Sequence, residues 1–199
     1  MKDGKASDTR ERLLRAGERL FRTQGYAGTG LKQLTQTAEA PWGSLYHFFP
    51  QGKEQLGAEV LRYGALLYDA GWKSAFDRFK DPAVAIEKIF LNEAKILSTS
   101  DYRDGCPIAS VTLDVASTSE VLREACADAF NVWLETLQAG FRAAGAPKDG
   151  AADLAGFVLS TLEGAIVLSR AAKAPAPLLQ SAKFVRQVIA REAATWKAG

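Results

Sequence analysis

The sequence is short of most residues that announce chemistry. Its 199 residues include two cysteines, one histidine and one methionine. Two thiols, Cys106 and Cys126, are too few for a disulfide framework, so a reduced, cytoplasmic setting is expected. One histidine and two cysteines twenty residues apart supply no metal set. No Gly-rich phosphate loop and no nucleophile elbow is present. An enzyme is therefore not expected, and neither is a cofactor. No apolar run approaches the ~18 residues that a membrane span needs. The stretch Met1 to Asp8 is polar and has no signal-peptide core. No segment alternates as a strand would, and no internal repeat is visible.

What is there is ordinary in amount and informative in arrangement. Hydrophobic residues make up 47% and charged residues 24%, a globular composition. Alanine and leucine are abundant and β-branched runs are short, which favours helices. The formal net charge is +2. Residues 1–55 hold nine Lys/Arg and six Asp/Glu, and the remainder sixteen and seventeen, so a mildly basic head sits on a near-neutral body.

Residues 1–7 read as a loose tail, with Asp8 or Thr9 capping a helix to about Thr23. Leu13, Leu14, Gly17, Leu20 and Phe21 form its apolar stripe, and Gly25 is a natural left-handed cap. Thr29 is placed to cap a short second helix with Leu31, Leu34 and Ala38 on its inner side. Pro41 forces Ala40 out of the helical region and can open a third helix, Trp42–Phe49. A long helix, a short helix, a tight turn and another short helix make a helix-turn-helix pattern. Further helices are expected from Lys53 to about Lys80, from Asp81-Pro82 to near Thr99, and over Ile108–Ala116. Another runs from a Ser117–Ser119 cap past Phe141. The last two cover 151–172 and 178–197, after a linker at Gly145–Gly150 and a break at Pro175 and Pro177. The fold class is all-α.

The run from Gly25 to Leu56 carries Gly25-Tyr26, Thr29, Gly43-Ser44-Leu45-Tyr46-His47-Phe48-Phe49 and Lys53-Glu54. It resembles the DNA-binding head of the TetR family of bacterial regulators. FPQGKEQL and the later Gly105-Cys106-Pro107-Ile108-Ala109 are similar to the LmrA/YxaF-type subgroup. The resemblance implies a three-helix DNA-binding domain at 8–55 and a helical ligand-binding and dimerisation domain at 56–199. It also implies a repressor that binds a palindromic operator on double-stranded DNA as a homodimer and is released by a small-molecule inducer. A redox-sensing or activating regulator of the same fold is the alternative, with Cys106 either a reactive thiol or a small packed hydrophobe. A helical protein-interaction module is the rival from another class; it would show no salt-dependent operator binding. Three positions depart from the family's habit: Glu39 where the turn favours Gly, Pro41 where a Ser or Thr cap is common, and Trp42 where Lys is frequent.

The expected DNA-binding residues are Thr29, Pro41, Trp42, Gly43, Ser44, Tyr46, His47 and Lys53. Pro41 to Ser44 occupy the half of a recognition helix that meets base edges. Trp42 could touch thymine methyls or pack on sugars, or fill a gap against the first helix. Tyr46 and His47 resemble the family's phosphate-contacting pair, and Thr29 and Lys53 sit at helix N-termini that favour an anion. The body is rich in aromatics. Trp72, Phe76, Phe90, Leu113, Trp133 and Leu137 are expected to line a pocket for an apolar or aromatic inducer. Phe157, Thr161, Leu178, Ala182, Val185 and Ile189 lie on apolar stripes of the last two helices. The chain's own core could claim such stripes, but the resemblance implies a four-helix dimer interface, and these residues are expected to form it.

Overall fold

The computed structural model describes residues 2–196, with side chains from Asp8 onward. Among the described residues the chain forms nine helices and no strand. They are α1 (Lys2–Gln24), α2 (Leu31–Thr37), α3 (Trp42–Phe48), α4 (Lys53–Arg78), α5 (Pro82–Thr99), α6 (Pro107–Val115), α7 (Glu120–Ala143), α8 (Lys148–Ala172) and α9 (Ala176–Ala193). Two compact units result, Met1–Leu66 with Cys106–Phe130, and Leu67–Gly105 with Asn131–Gly199.

In the first unit α1, α2 and α3 pack on one another, and α6 packs on α1. Leu13, Leu14 and Phe21 of α1, Leu34 of α2, and Leu45 with Phe49 around α3 are buried, as their helical spacing requires. Local chemistry sets most helix ends. The Ser119 hydroxyl accepts from the Leu122 amide at 3.2 Å and opens α7. Cys106 caps α6, its sulfur accepting from the Ala109 amide at 3.4 Å, with Pro107 in the first turn. Gly25 takes φ +72° at the end of α1. A side chain at this position would also collide with the Asp114 carboxylate, whose oxygen would lie 2.2 Å from the added carbon.

In the second unit α5, α8 and α9 pack together. Asp81 caps α5 through the Ala83 amide at 2.8 Å, with Pro82 behind it. A polar pair is buried here too: Asp69 accepts from the Thr136 hydroxyl, and its other oxygen holds the Lys73 ammonium at 2.6 Å.

Several expectations need correction. Helix α1 starts at Lys2, ahead of the expected Asp8–Thr9 cap, and Asp8 pairs with Arg12 one turn on at 3.4 Å. Part of the expected 145–150 linker is helix, because Pro147 caps α8 and its carbonyl accepts from Ala151 at 2.9 Å. Helix α9 begins at Ala176 and ends at Ala193; residue 197, its expected end, lies outside the described residues. Against expectation, α8 is long and apolar enough, by length and composition, to cross a membrane. Its apolar residues surround it, one face buried by Leu154, Val158 and Leu162 and another exposing Phe157, Val167 and Leu168.

Candidate nucleic-acid interface

Leu45 and Phe49 anchor α3 in the core of the first unit, which turns the opposite side outward. Pro41, Trp42, Gly43, Tyr46 and His47 are all exposed there, and Ser44 is half-buried. Trp42 and Tyr46, one turn apart, meet edge to face with ring centroids 6.0 Å apart. His47 stands against Phe48 at 4.8 Å, also edge to face. Lys53 lies at the start of α4, its ammonium 4.3 Å from the centre of the Tyr26 ring. Desolvation lowers the Lys53 pKa, and the Asp114 carboxylate opposes that shift. Burial raises the Tyr26 pKa, helped by Glu54.

Thr29 does not belong with this set. It is buried, its hydroxyl donates to the Gly25 carbonyl at 2.6 Å, and Gly30 is the residue that precedes α2 as its cap. The hydroxyl therefore closes the loop between α1 and α2 and is turned away from solvent. Lys32 is exposed on α2 beside Trp42.

The turn between α2 and α3 rests on Arg12, which sequence reasoning missed. Glu39 takes φ +50°, a left-handed conformation costing a non-glycine residue about 1–2 kcal/mol. The Arg12 guanidinium donates to the Ala38 and Glu39 carbonyls at 2.9 and 2.8 Å, and to the Thr9 hydroxyl at 3.2 Å. Nothing in local spacing links Arg12 to residues 26 and 27 positions later.

In the second unit, four of the six expected pocket residues are core. Trp72, Phe90, Trp133 and Leu137 are buried, and the Trp72 and Trp133 rings pack 5.3 Å apart. Leu113 is 81% exposed and belongs to the first unit. Only Phe76 lines the cleft that forms between the second half of α4 and α7. That cleft has a volume of about 670 Å³. Phe79, Val132, Ala139 and Gly140 give it apolar walls, and Lys73, Asp77, Lys80 and Glu135 a charged rim. Helical period identified the aromatics correctly as inward-facing, but it cannot distinguish a filled interior from a lined cavity.

The expected dimer residues divide in the same way. Leu178, Ala182, Val185 and Ile189 are buried within the chain, on the side of α9 that packs on α5 and α8. They are core and are not available to a second copy. Phe157 is exposed and Thr161 partly so, its hydroxyl bonded to the Phe157 carbonyl at 2.7 Å. The exposed apolar residues beside them are Val167 and Leu168 on α8, and Leu179, Phe184 and Val188 on α9.

Residues 13–60 match the description "bacterial regulatory proteins, tetR family". Residues 82–184 match "transcriptional regulator LmrA/YxaF-like, C-terminal domain". The chain belongs to the TetR family. It is 33% identical over 184 residues to the HTH-type transcriptional regulator LmrA of Bacillus subtilis, covering 92% of this chain and 98% of LmrA. YxaF of the same organism, an uncharacterised HTH-type regulator, is 32% identical over 185 residues, covering 93% and 97%. The fold is shared with the reduced form of Escherichia coli NemR, at TM-score 0.80 and 23% identity over 90% of this chain and 96% of that one. It is shared too with a cysteine mutant of the TetR-family regulator CifR complexed with operator DNA, at TM-score 0.71 and 20% identity over 94% and 96%.

Within a TetR-family head the three departures now have physical readings. Arg12 offsets the strain at Glu39. Pro41 has φ −57° and makes no side-chain cap; its carbonyl accepts from the Ser44 hydroxyl instead. Trp42 points outward and fills no gap against α1. The Gly105–Ala109 segment is structural. Gly105 leaves room for the Arg170 side chain, which donates to the Arg103 carbonyl at 3.1 Å. Cys106 and Cys126 are both buried, and burial raises the Cys126 pKa, the opposite of what a reactive thiolate needs.

Proposed function

We infer that this TetR-family chain is a ligand-responsive repressor that binds a palindromic operator as a homodimer. In this reading residues 8–55 bind DNA, residues 56–199 bind ligand and dimerise, and the protein works in the bacterial cytoplasm without enzymatic activity. The observation that carries it is the exposed face of α3. A recognition helix must be held from behind and clear in front, and Leu45 and Phe49 hold it while Trp42, Gly43, Tyr46 and His47 stand clear. Tyr46, His47, Lys53 and Lys32 are the groups assigned to phosphates. Thr29 is withdrawn from that list because its side chain is buried.

Dimerisation is assigned to the exposed faces of α8 and α9. Phe157, Thr161, Gly164, Val167 and Leu168 recur at helical spacing on α8, small residues between large ones, and Phe184 and Val188 extend the apolar surface on α9. Large apolar side chains left exposed at helical spacing suit a partner. The inducer is assigned to the cleft of the second unit. Its walls fit an aromatic or aliphatic body and its charged rim fits a polar group, so the ligand class is amphipathic rather than purely apolar. The relatives support repression, since NemR of Escherichia coli, 34% identical over 59% of each chain, is a transcriptional repressor.

The test is a binding selection from a random duplex pool with sedimentation of the protein alone. A palindromic consensus and a dimer support the reading. A dimer that enriches nothing, or a monomer that binds a single half-site, contradicts it.

A further inference from the structure

The first turn of a recognition helix meets base edges, and here that turn offers almost no free hydrogen-bonding side chain. Pro41 and Gly43 have none. The Ser44 hydroxyl donates to the Pro41 carbonyl at 2.8 Å, within its own turn. What remains is Trp42. Trp42 is 51% exposed, and among the described residues the ring against it is that of Tyr46, itself 47% exposed. Beside the indole a shallow hollow opens between α2 and α3, walled by Lys32, Thr35, Gln36 and Pro41. A methyl group placed on Gly43 would meet nothing within 4 Å, so the space in front is open.

In the major groove guanine, cytosine and adenine are told apart by donors and acceptors, and a polar side chain is needed to read them. Thymine alone adds an apolar feature, its 5-methyl group. A turn whose single outstanding side chain is a large apolar ring is matched to that feature. Taking α3 as the recognition helix, on which this inference rests, we propose that Trp42 determines operator specificity by packing its indole on a thymine 5-methyl group. Tyr46 is the positioning residue. Its edge-to-face contact fixes the indole's orientation before DNA arrives, so less side-chain freedom is lost on binding.

The experiment removes the methyl group and nothing else. The operator is first obtained by selection with the full chain. Each thymine is then replaced by deoxyuridine, symmetrically in both half-sites. Affinity is measured by fluorescence anisotropy for wild type, Trp42→Phe and Trp42→Ala, with circular dichroism confirming that the variants fold. One thymine per half-site should stand out, its methyl worth about fourfold in wild-type affinity, from ~0.8 kcal/mol per buried carbon. Over two half-sites this multiplies to about fifteenfold. Trp42→Phe, apolar but lacking the indole N–H, should keep most of that dependence. Trp42→Ala should reduce it to less than twofold. A wild type indifferent to every methyl overturns the proposal. So does a methyl dependence that survives in Trp42→Ala, or one lost equally in Trp42→Phe, which would point to the indole N–H. A pool that enriches no site removes the DNA-binding reading itself, whereas an enriched site without methyl dependence removes only the role given to Trp42.

Discussion

Replacing Arg12 by alanine should weaken the DNA-binding head through a turn that Arg12 does not adjoin in sequence. The guanidinium makes two hydrogen bonds to the Ala38 and Glu39 carbonyls. A bond from a charged donor is worth ~1.5–3 kcal/mol when dry. Glu39 is exposed, so water replaces part of that loss. The pair together is therefore worth about 2 kcal/mol, which for a chain of this size lowers Tm by roughly 4–8 °C. Glu39→Gly should act in the opposite direction. It removes a left-handed strain of ~1–2 kcal/mol and returns ~0.5–1 kcal/mol through the greater freedom of unfolded glycine, a net gain of about 0.5 kcal/mol. The two changes should couple. With glycine in place the turn needs less clamping, and Arg12→Ala should then cost about 1 kcal/mol rather than 2. Urea unfolding of the four proteins, followed by circular dichroism, measures every term. An Arg12→Ala change within about 0.5 kcal/mol of wild type, or a destabilising Glu39→Gly, would refute the reasoning.

If the proposed dimer forms through α8 and α9, Leu168→Glu and Phe184→Glu should convert it to a folded monomer, seen by sedimentation, because both side chains are exposed on the isolated chain. Leu178→Glu should instead unfold it, since it buries a charge in the core. Thr136→Val should cost about 1–3 kcal/mol in urea unfolding by leaving the buried Asp69 carboxylate short of a donor. Cys126 should resist thiol labelling at pH 8 in the native protein and react once urea is added, because burial holds its pKa above the ordinary 9.0. The sign for stability follows. The unfolded thiol ionises first, so any contribution from Cys126 is complete below pH 9.0 and is lost as pH rises beyond it.

Helical period and end signals make most of the fold legible in the sequence. Asp81-Pro82, Ser119 and Gly25 each mark an end that the structure keeps, and Leu45 with Phe49 identified the inner side of α3. What sequence could not supply was long-range. Arg12 reaching Glu39, and Asp114 set against Gly25, join residues with no local signal between them. Thr29 has the composition of a cap, yet its hydroxyl satisfies the Gly25 carbonyl and Gly30 takes the cap position. The stripe Leu178, Ala182, Val185 and Ile189 was expected at a dimer interface, yet a partner chain and the chain's own helices demand the same apolar spacing. Only the packing of α9 on α5 and α8 separates the two, and it leaves Val167, Leu168 and Phe184 as the outer surface. The pocket was the least legible feature, because buried aromatics and cavity-lining aromatics follow one pattern.

The central claim is that two copies of α3 bind DNA with Tyr46, His47, Lys53 and Lys32 on phosphates. The direct measurement is the salt dependence of operator affinity, for wild type and for Tyr46→Phe with Lys53→Ala. On that proposal Lys32 and Lys53 from two heads would neutralise four phosphates, so affinity should fall on the order of 100-fold between 50 and 200 mM salt. The double variant should bind more weakly at low salt and lose about half of that slope. Specific binding that is indifferent to salt, or a variant that matches wild type in both affinity and slope, would contradict the account.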